Sequence, residues 1–265
     1  MTLPRGRGRL AIVGLGPGGT PWRTPAADAL LTEATDLVGY TTYLDMVEAW
    51  PAGQVRHPSD NRAEAERAAR ALDLAAEGRS VVIVSSGDPG VFAMAAAVME
   101  QLDRSDRPAS WEDVDVIVSP GVSAAQAAAA RAGAPLGHDF ATISLSDNLK
   151  PWSVIESRLA AAAAADFVLA LYNPASRHRP SQLGRALAVI GAHRRPDTPV
   201  VVARDVGRSA ERVEVVPLAS LDPTVVDMRT ILIVGSSQTR MVDVPGWDRR
   251  GVYTPRRYPE VSADG

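Results

Sequence analysis

The chain has 265 residues, of which 46% are hydrophobic and 22% charged, so it can bury a large core and is too apolar for wholesale disorder; its length predicts one or two domains. It has no cysteine, which excludes disulfides, thiolate catalysis and Cys-ligated zinc or iron–sulfur centres. A net charge of −3 does not fit a nucleic-acid binder.

Lys150 is the single lysine, so the basic side of the balance is almost wholly arginine. Composition bias accounts for that, and so does bidentate recognition of carboxylates or phosphates. No apolar stretch approaches the roughly 20 residues of a membrane span. The run at 10–13 meets a glycine loop too soon for a signal-peptide core. The expectation is a soluble, cytoplasmic protein.

The apolar run at 10–13 predicts a first strand. Thr24 followed by Pro25 marks a helix N-cap and first helical position, and the helix should run to about Ala34. A short strand is expected at 37–40 and a helix over 63–77, stopped by Gly78. A strand at 81–85, a helix over 91–102, a strand at 114–118 and a helix over 123–132, stopped by Gly133, follow. This strand–loop–helix rhythm predicts an α/β domain with a mainly parallel sheet. It pauses around 135–139, and we place a domain boundary between 137 and 138. The second half reads as strands at 141–145, 167–172, 199–204, 212–216 and 230–234, with helices over 152–164 and 182–193. Consecutive strands without long helices between them predict a mixed sheet. The Arg-, Tyr- and Pro-rich tail after Gly246 is expected to be irregular.

Three loops follow strands, where an α/β fold binds ligands. The first, Gly14-Leu15-Gly16-Pro17-Gly18-Gly19, matches G-x-G-x-x-G. The next helix starts several residues late for a dinucleotide fingerprint, and the second strand ends without an acid for a ribose. A tight turn and a loop that lets some other ligand approach the backbone both stay open. In the second loop, Ser85-Ser86-Gly87-Asp88-Pro89-Gly90, Asp88 reads either as a cap for the following helix or as a carboxylate facing a ligand. In the third, Pro120-Gly121-Val122-Ser123-Ala124, Ser123 is a good N-cap, and its small neighbours leave room for a flat ligand.

Other groups carry less. His57, His138, His178 and His193 lack metal-ligand spacing, so no metal is expected. Ser86 has no His nearby in sequence, and Gly-x-Ser-x-Gly is absent, which argues against a hydrolase triad. Ser144, Ser146, Asp147, Asn148 and Lys150 form a polar cluster that reads as a solvated loop or a source of chemistry. Arg177, His178 and Arg179 could equally be a solvated run.

Taken together the three loops resemble the tetrapyrrole methylases, and the likeness covers nearly the whole chain. Further signs point to a corrin-pathway branch of that family: Gly39-Tyr40-Thr41-Thr42-Tyr43-Leu44-Asp45, Ser144-Leu145-Ser146-Asp147-Asn148-Leu149, Ala170-Leu171-Tyr172-Asn173-Pro174, Val226-Asp227-Met228, and Thr254-Pro255-Arg256. The resemblance implies a two-domain α/β protein, mainly parallel in its first sheet and mixed in its second, with a ligand cleft between the domains and usually a homodimer. It implies S-adenosyl-L-methionine as cofactor, with contacts at Pro17, Ser86, Gly87, Asp88, Val91, Ser123, Ala124, Asn173, Ala203 and Thr230. The glycine loop then lies toward the tetrapyrrole, with Gly16 and Gly18 as substrate contacts. Ser123 stands where many relatives carry Thr, and Asn173 where several carry Met.

The implied reaction is C-methylation of a precorrin with ring contraction, in cobalamin biosynthesis. A charge-activated methyl group chiefly needs a carbon nucleophile aligned behind it, so the lack of a catalytic dyad is no objection. The polyanionic substrate needs a local Arg cluster, because the net charge cannot attract it. Arg177, Arg179, Arg204, Arg208 and Arg256 are the candidates by proximity to these motifs, and Arg177, Arg204 and Arg256 are assigned to the substrate with Ser144. Ring contraction needs a proton removed and another donated, for which Asp147 and Lys150 are the candidates. A sister methylase acting at another ring position or on a cobalt-bearing substrate, an NAD-dependent dehydrogenase and a non-catalytic tetrapyrrole carrier are the competing readings.

Overall fold

The structure is a computed structural model, and it describes residues 7–47, 51–60, 63–176 and 179–258. The chain divides into two compact units, Met1–Ala124 and Ala125–Gly265.

The first unit runs β1 (Arg9–Gly14), α1 (Pro25–Glu33), β2 (Asp36–Tyr40), α2 (Thr41–Leu44), β3 (Val55–Ser59), α3 (Glu64–Ala76), β4 (Ser80–Ser85), α4 (Met94–Leu102) and β5 (Asp115–Ser119). Its sheet has the order β3-β2-β4-β1-β5, and every pairing is parallel. Alternation along the strands explains why both faces are covered. Leu10 and Ile12 of β1 and Val81 and Ile83 of β4 pack with Ala68, Leu72 and Val98 of α3 and α4. Ala11, Val13, Val82 and Val84 point the other way and pack with Ala27 and Leu31 of α1 and Leu44 of α2. Thr24 caps α1 as expected, its Oγ1 accepting from the Ala27 amide at 3.1 Å with Pro25 as the first helical residue.

β3 and the short α2 escaped the sequence, and α4 starts later than expected. The Val-Arg-His-Pro-Ser of β3 carries Pro58 and is half in solvent, as an edge strand tolerates. The helix expected from 91 begins only at Met94, because Phe92 takes φ +53°. Asp88 therefore does not cap α4: the N-cap is Ala93, with no side-chain hydrogen bond.

The second unit continues with the rest of α5 (Ala124–Ala132), then β6 (Gly133–Ala134), β7 (Phe140–Ser144), α6 (Trp152–Ala164), β8 (Val168–Tyr172), α7 (Gln182–Gly191), β9 (Pro199–Arg204), β10 (Arg212–Pro217), β11 (Thr230–Val234), β12 (Arg240–Val242) and β13 (Gly251–Tyr253). Its main sheet, β10-β9-β11-β8-β7, is mixed: β7 and β8 are parallel, and the other pairs antiparallel. Leu169, Leu171, Val200, Leu232 and Val234 build its core with Ile155 and Leu159 of α6 and Leu183 and Ile190 of α7. The tail is not wholly irregular, for β13 pairs with both β12 and β6. That pairing ties 133–134 to 251–253 within the second unit. The units accordingly divide near 124, ahead of the 137/138 position read from the sequence.

Candidate functional site

In the first unit the topology gathers the predicted loops at one sheet edge. β4, β1 and β5 are neighbours and parallel, so the segments leaving them emerge side by side. Gly16 and Gly87 hydrogen-bond reciprocally, Gly87 N donating to Gly16 O at 2.8 Å and Gly16 N to Gly87 O at 3.1 Å. Both have positive φ, +70° and +69°. A Cβ on Gly14 would lie 2.7 Å from Gly121 N and from Gly87 O, so these backbones pack too closely for a side chain. Asp88 fastens the second loop to itself and to the third: Oδ1 accepts from Gly90 N at 2.8 Å, and Oδ2 from Gly121 N at 3.0 Å.

Gly87 is packed less tightly: a Cβ there would make ordinary van der Waals contact with Ala124 N, Ser123 Cα and Val122 O at 3.9–4.0 Å, so it is the φ of +69° rather than crowding that favours glycine. Pro17, Gly18 and Ser123 are buried, and Ser86, Val91 and Ala124 are partly exposed. All the first-unit residues nominated from the sequence thus lie on these loops.

In the second unit the strand directions do the same. The C-terminal ends of β7, β8 and β9 and the N-terminal end of β11 lie along one edge, with Ser144 beside Tyr172 and Thr230 beside Arg204. Asn173, at φ +51°, donates from Nδ2 to Ser144 Oγ at 2.9 Å. Thr230 Oγ1 donates to Asp227 Oδ1 at 3.0 Å, and the buried Ala203 sits one residue inside the edge, opposite Ile231. Asp147 accepts from Gln182 Nε2 at 3.0 Å. Lys150 titrates below the ordinary lysine value, first because partial burial disfavours its charge and second because Arg158 repels it.

The arginines divide. Arg204 is ion-paired to Asp205 at 3.1 Å and Asp227 at 3.0 Å, so a substrate carboxylate would compete with two aspartates for it. Arg179 is 7% exposed and joins three site segments, donating from Nη1 to the carbonyls of Leu145 and Asn173, each at 3.1 Å, and from Nη2 to Met228 Sδ at 3.4 Å. From the sequence it read as part of a solvated run or as a substrate arginine; its burial against backbone carbonyls makes it a brace instead. Arg256 is exposed, and Arg177 lies outside the described residues. Asp205 also went unnoticed in the sequence; its side chain is 2% exposed, at φ +52°, between Arg204 and Arg229. Among the described residues no cluster of three or more His, Cys, Asp or Glu could hold a metal, and no helix is long and apolar enough to cross a membrane.

Residues 9–222 match the family model of tetrapyrrole (corrin/porphyrin) methylases. The chain belongs to that family. It is 49% identical to the precorrin-3B C(17)-methyltransferase of a Sinorhizobium species over 96% of this chain and 99% of that one. It is 55% identical to the cobalamin biosynthesis protein CobIJ of Mycobacterium tuberculosis over 98% of its own length, but spans only 51% of that relative. Among solved structures, the methyltransferase CobJ superposes with a TM-score of 0.87 at 46% identity, covering 94% of this chain and 100% of that one. The Thermus thermophilus uroporphyrin-III C-methyltransferase, solved with S-adenosyl homocysteine, shares the fold at a TM-score of 0.62 and 23% identity, covering 86% of this chain and 97% of that one. Tetrapyrrole methylases thus account for both the parallel first sheet and the mixed second one.

Proposed function

We propose that this tetrapyrrole methylase transfers a methyl group from S-adenosyl-L-methionine to C17 of precorrin-3B, with ring contraction to a precorrin-4 type product, in cobalamin biosynthesis. The observation that carries this reading is the 49% identity to the Sinorhizobium enzyme over nearly the full length of both chains.

The local chemistry supports it. When bound, the sulfonium cofactor supplies a methyl group already activated by positive charge. The protein's task is then to bind and orient rather than to activate. Gly87, Asp88, Ser123 and Ala124 would hold that cofactor, together with Pro17, Ser86 and Val91 on the same loops, where Gly16, Gly87 and Gly121 carry no side chain to screen the backbone from a ligand. Asn173, Ala203 and Thr230 are assigned to the same cofactor from the second unit. Gly16, Gly18, Ser144, Arg177, Arg204 and Arg256 are assigned to the polyanionic substrate, the arginines by charge. Lys150 is assigned to move a proton during contraction, because its lowered pKa eases release from the ammonium. Asp147, aligned by Gln182, is the second candidate. We assign the enzyme to the cytoplasm as a homodimer, on the family resemblance.

The test is calorimetric titration with S-adenosylhomocysteine on the wild type and Asp88→Ala, followed by mass and NMR analysis of the product formed from precorrin-3B. Micromolar binding that the variant loses, and a product methylated at C17, are expected. A wild type without affinity for the cofactor product would overturn the reading. A product methylated elsewhere would reassign the ring position.

A further inference from the structure

Among the described residues, Asp205 is the buried aspartate whose carboxylate makes no hydrogen bond from either oxygen. Aspartate enters the positive-φ region because its short side chain usually bonds locally. Asp205 takes φ +52° without such a bond. Backbone contacts fix it there instead: its amide donates to Arg229 O at 3.1 Å, and its carbonyl accepts from Arg208 N at 2.9 Å. A buried carboxylate without hydrogen bonds is costly, so its neighbours must offset the charge. Those neighbours are two guanidiniums at one oxygen, Arg204 Nη1 at 3.1 Å and Arg229 Nη1 at 3.5 Å from Oδ2.

The carboxylate thereby holds together two arginines that would otherwise repel. Asp227 braces the same pair: Oδ2 lies 3.0 Å from Arg204 Nη2 and 3.9 Å from Arg229 Nε, while Oδ1 accepts from the Arg229 amide at 2.9 Å. The two arginines are not equally engaged. Arg204 donates from Nε to Asp227 Oδ2 at 3.0 Å, whereas Arg229 stands at charge-pairing rather than hydrogen-bonding range of both carboxylates. The Arg229 side chain is 54% exposed, so its N–H groups reach solvent. It precedes Thr230, which pairs with Arg204 across β11 and β9, on the edge that also carries Ser144 and Asn173.

We propose that Arg229 is a specificity-determining residue: with Arg204 it grips a carboxylate of the tetrapyrrole acceptor, and Asp205 is the positioning residue that sets the two guanidiniums side by side. This rests on the methylase reading above, which supplies an acceptor rich in carboxylates. A planar guanidinium takes a carboxylate through two parallel N–H bonds. Asp205 is too buried to meet the ligand and acts through the arginines.

The experiment compares wild type, Arg229→Gln, Arg229→Lys and Asp205→Asn by steady-state kinetics with precorrin-3B, titration with S-adenosylhomocysteine and thermal melting. Arg229→Gln should raise KM for precorrin-3B about tenfold while kcat stays within about twofold, because the lost contact weakens ground state and transition state alike. Arg229→Lys, with the charge but not the fork, should fall between. Asp205→Asn keeps the shape and removes the countercharge, so KM should rise as it does in Arg229→Gln. All three should bind S-adenosylhomocysteine as the wild type does. An unchanged KM in Arg229→Gln overturns the proposal, as does a loss of S-adenosylhomocysteine affinity in step with KM. An Asp205→Asn protein that does not fold, or that melts lower with KM unmoved, makes Asp205 a framework residue and overturns its positioning role. If the wild type binds no S-adenosylhomocysteine or turns over no precorrin-3B, the methylase reading itself fails; if it does both and Arg229→Gln matches it, only the Arg229 contact fails.

Discussion

Asp88 and Gly121 are joined by a 3.0 Å hydrogen bond from the Gly121 amide to Oδ2, spanning the ends of β4 and β5 with β1 between them. The other carboxylate oxygen holds Gly90. Asparagine keeps one acceptor and alanine none. Asp88→Asn should therefore lose about 1 kcal/mol of stability and Asp88→Ala more, in line with partly exposed hydrogen bonds to a carboxylate. Cofactor affinity should fall in the same order. Urea titration and calorimetry on the pair check both; equal affinity in wild type and Asp88→Ala would show that the latch is irrelevant to binding.

Gly121→Ala is a sharper probe of the same loops. The added methyl would collide with the Gly87 carbonyl oxygen, which belongs to backbone and cannot swing aside. Overpacking of this kind costs about 1–3 kcal/mol. The variant should fold, melt lower, and bind S-adenosylhomocysteine at least tenfold more weakly. Gly184→Ala, where a Cβ meets nothing within 4 Å, serves as the control and should bind normally.

Arg179 has a different fate if truncated. Its two carbonyl partners and Met228 would lose their shared donor inside the second unit. Arg179→Ala should cost about 3 kcal/mol, from two charge-assisted hydrogen bonds. Arg179→Lys, which cannot reproduce the planar fork, should recover only part of it. Denaturant unfolding without ligand measures this; an Arg179→Ala protein as stable as wild type would place the guanidinium outside the framework.

Much of this arrangement was legible in the sequence, and what was not has physical reasons. The strand at 230–234, the helix at 152–164 and the Thr24 cap come from local signals, β-branched runs and capping chemistry, which act over a few residues. β3 was hidden because Pro58 and solvent exposure erase the strand pattern at an edge. The loops around Gly16, Gly87 and Gly121 stood out as glycine-rich, but their mutual bonding depends on strand order, which no local pattern encodes. Arg179 read as solvated or substrate-facing because its neighbours in sequence are polar, while two of its three partners lie 34 and 49 residues away. Phe92 looked helical because apolar spacing carries no mark of a positive φ.

Acid sensitivity of the second unit should centre on Asp166. Burial alone would raise its pKa, but hydrogen bonds from Ser237 and Tyr258 and the charge of Arg194 outweigh that and hold it below 3.8. A carboxyl lowered by folding contributes stability that is complete above its unfolded pKa and disappears as pH falls through its folded one. Melting temperature should therefore drop more steeply below about pH 4 in wild type than in Asp166→Asn, which lacks the titrating group. Parallel curves from pH 6 to 3 would remove Asp166 from the acid limb.

Proton movement during contraction separates from methyl transfer. Lys150→Met keeps the length of the side chain but carries no proton. It should methylate at a rate within about threefold of wild type while contracting at least a hundredfold more slowly, the scale of general acid–base catalysis. Single-turnover product analysis distinguishes the two steps; equal loss in both would make Lys150 a binding group.

The short pairing of β6 with β13 sets an order on synthesis. All five strands of the first sheet lie between Arg9 and Ser119, so that unit can close while the rest of the chain is still being made. Gly133 and Ala134 must wait for Val252 and Tyr253, more than a hundred residues downstream. A nascent chain should thus gain protease resistance in two stages, the second only once the β13 segment has cleared the ribosomal exit tunnel.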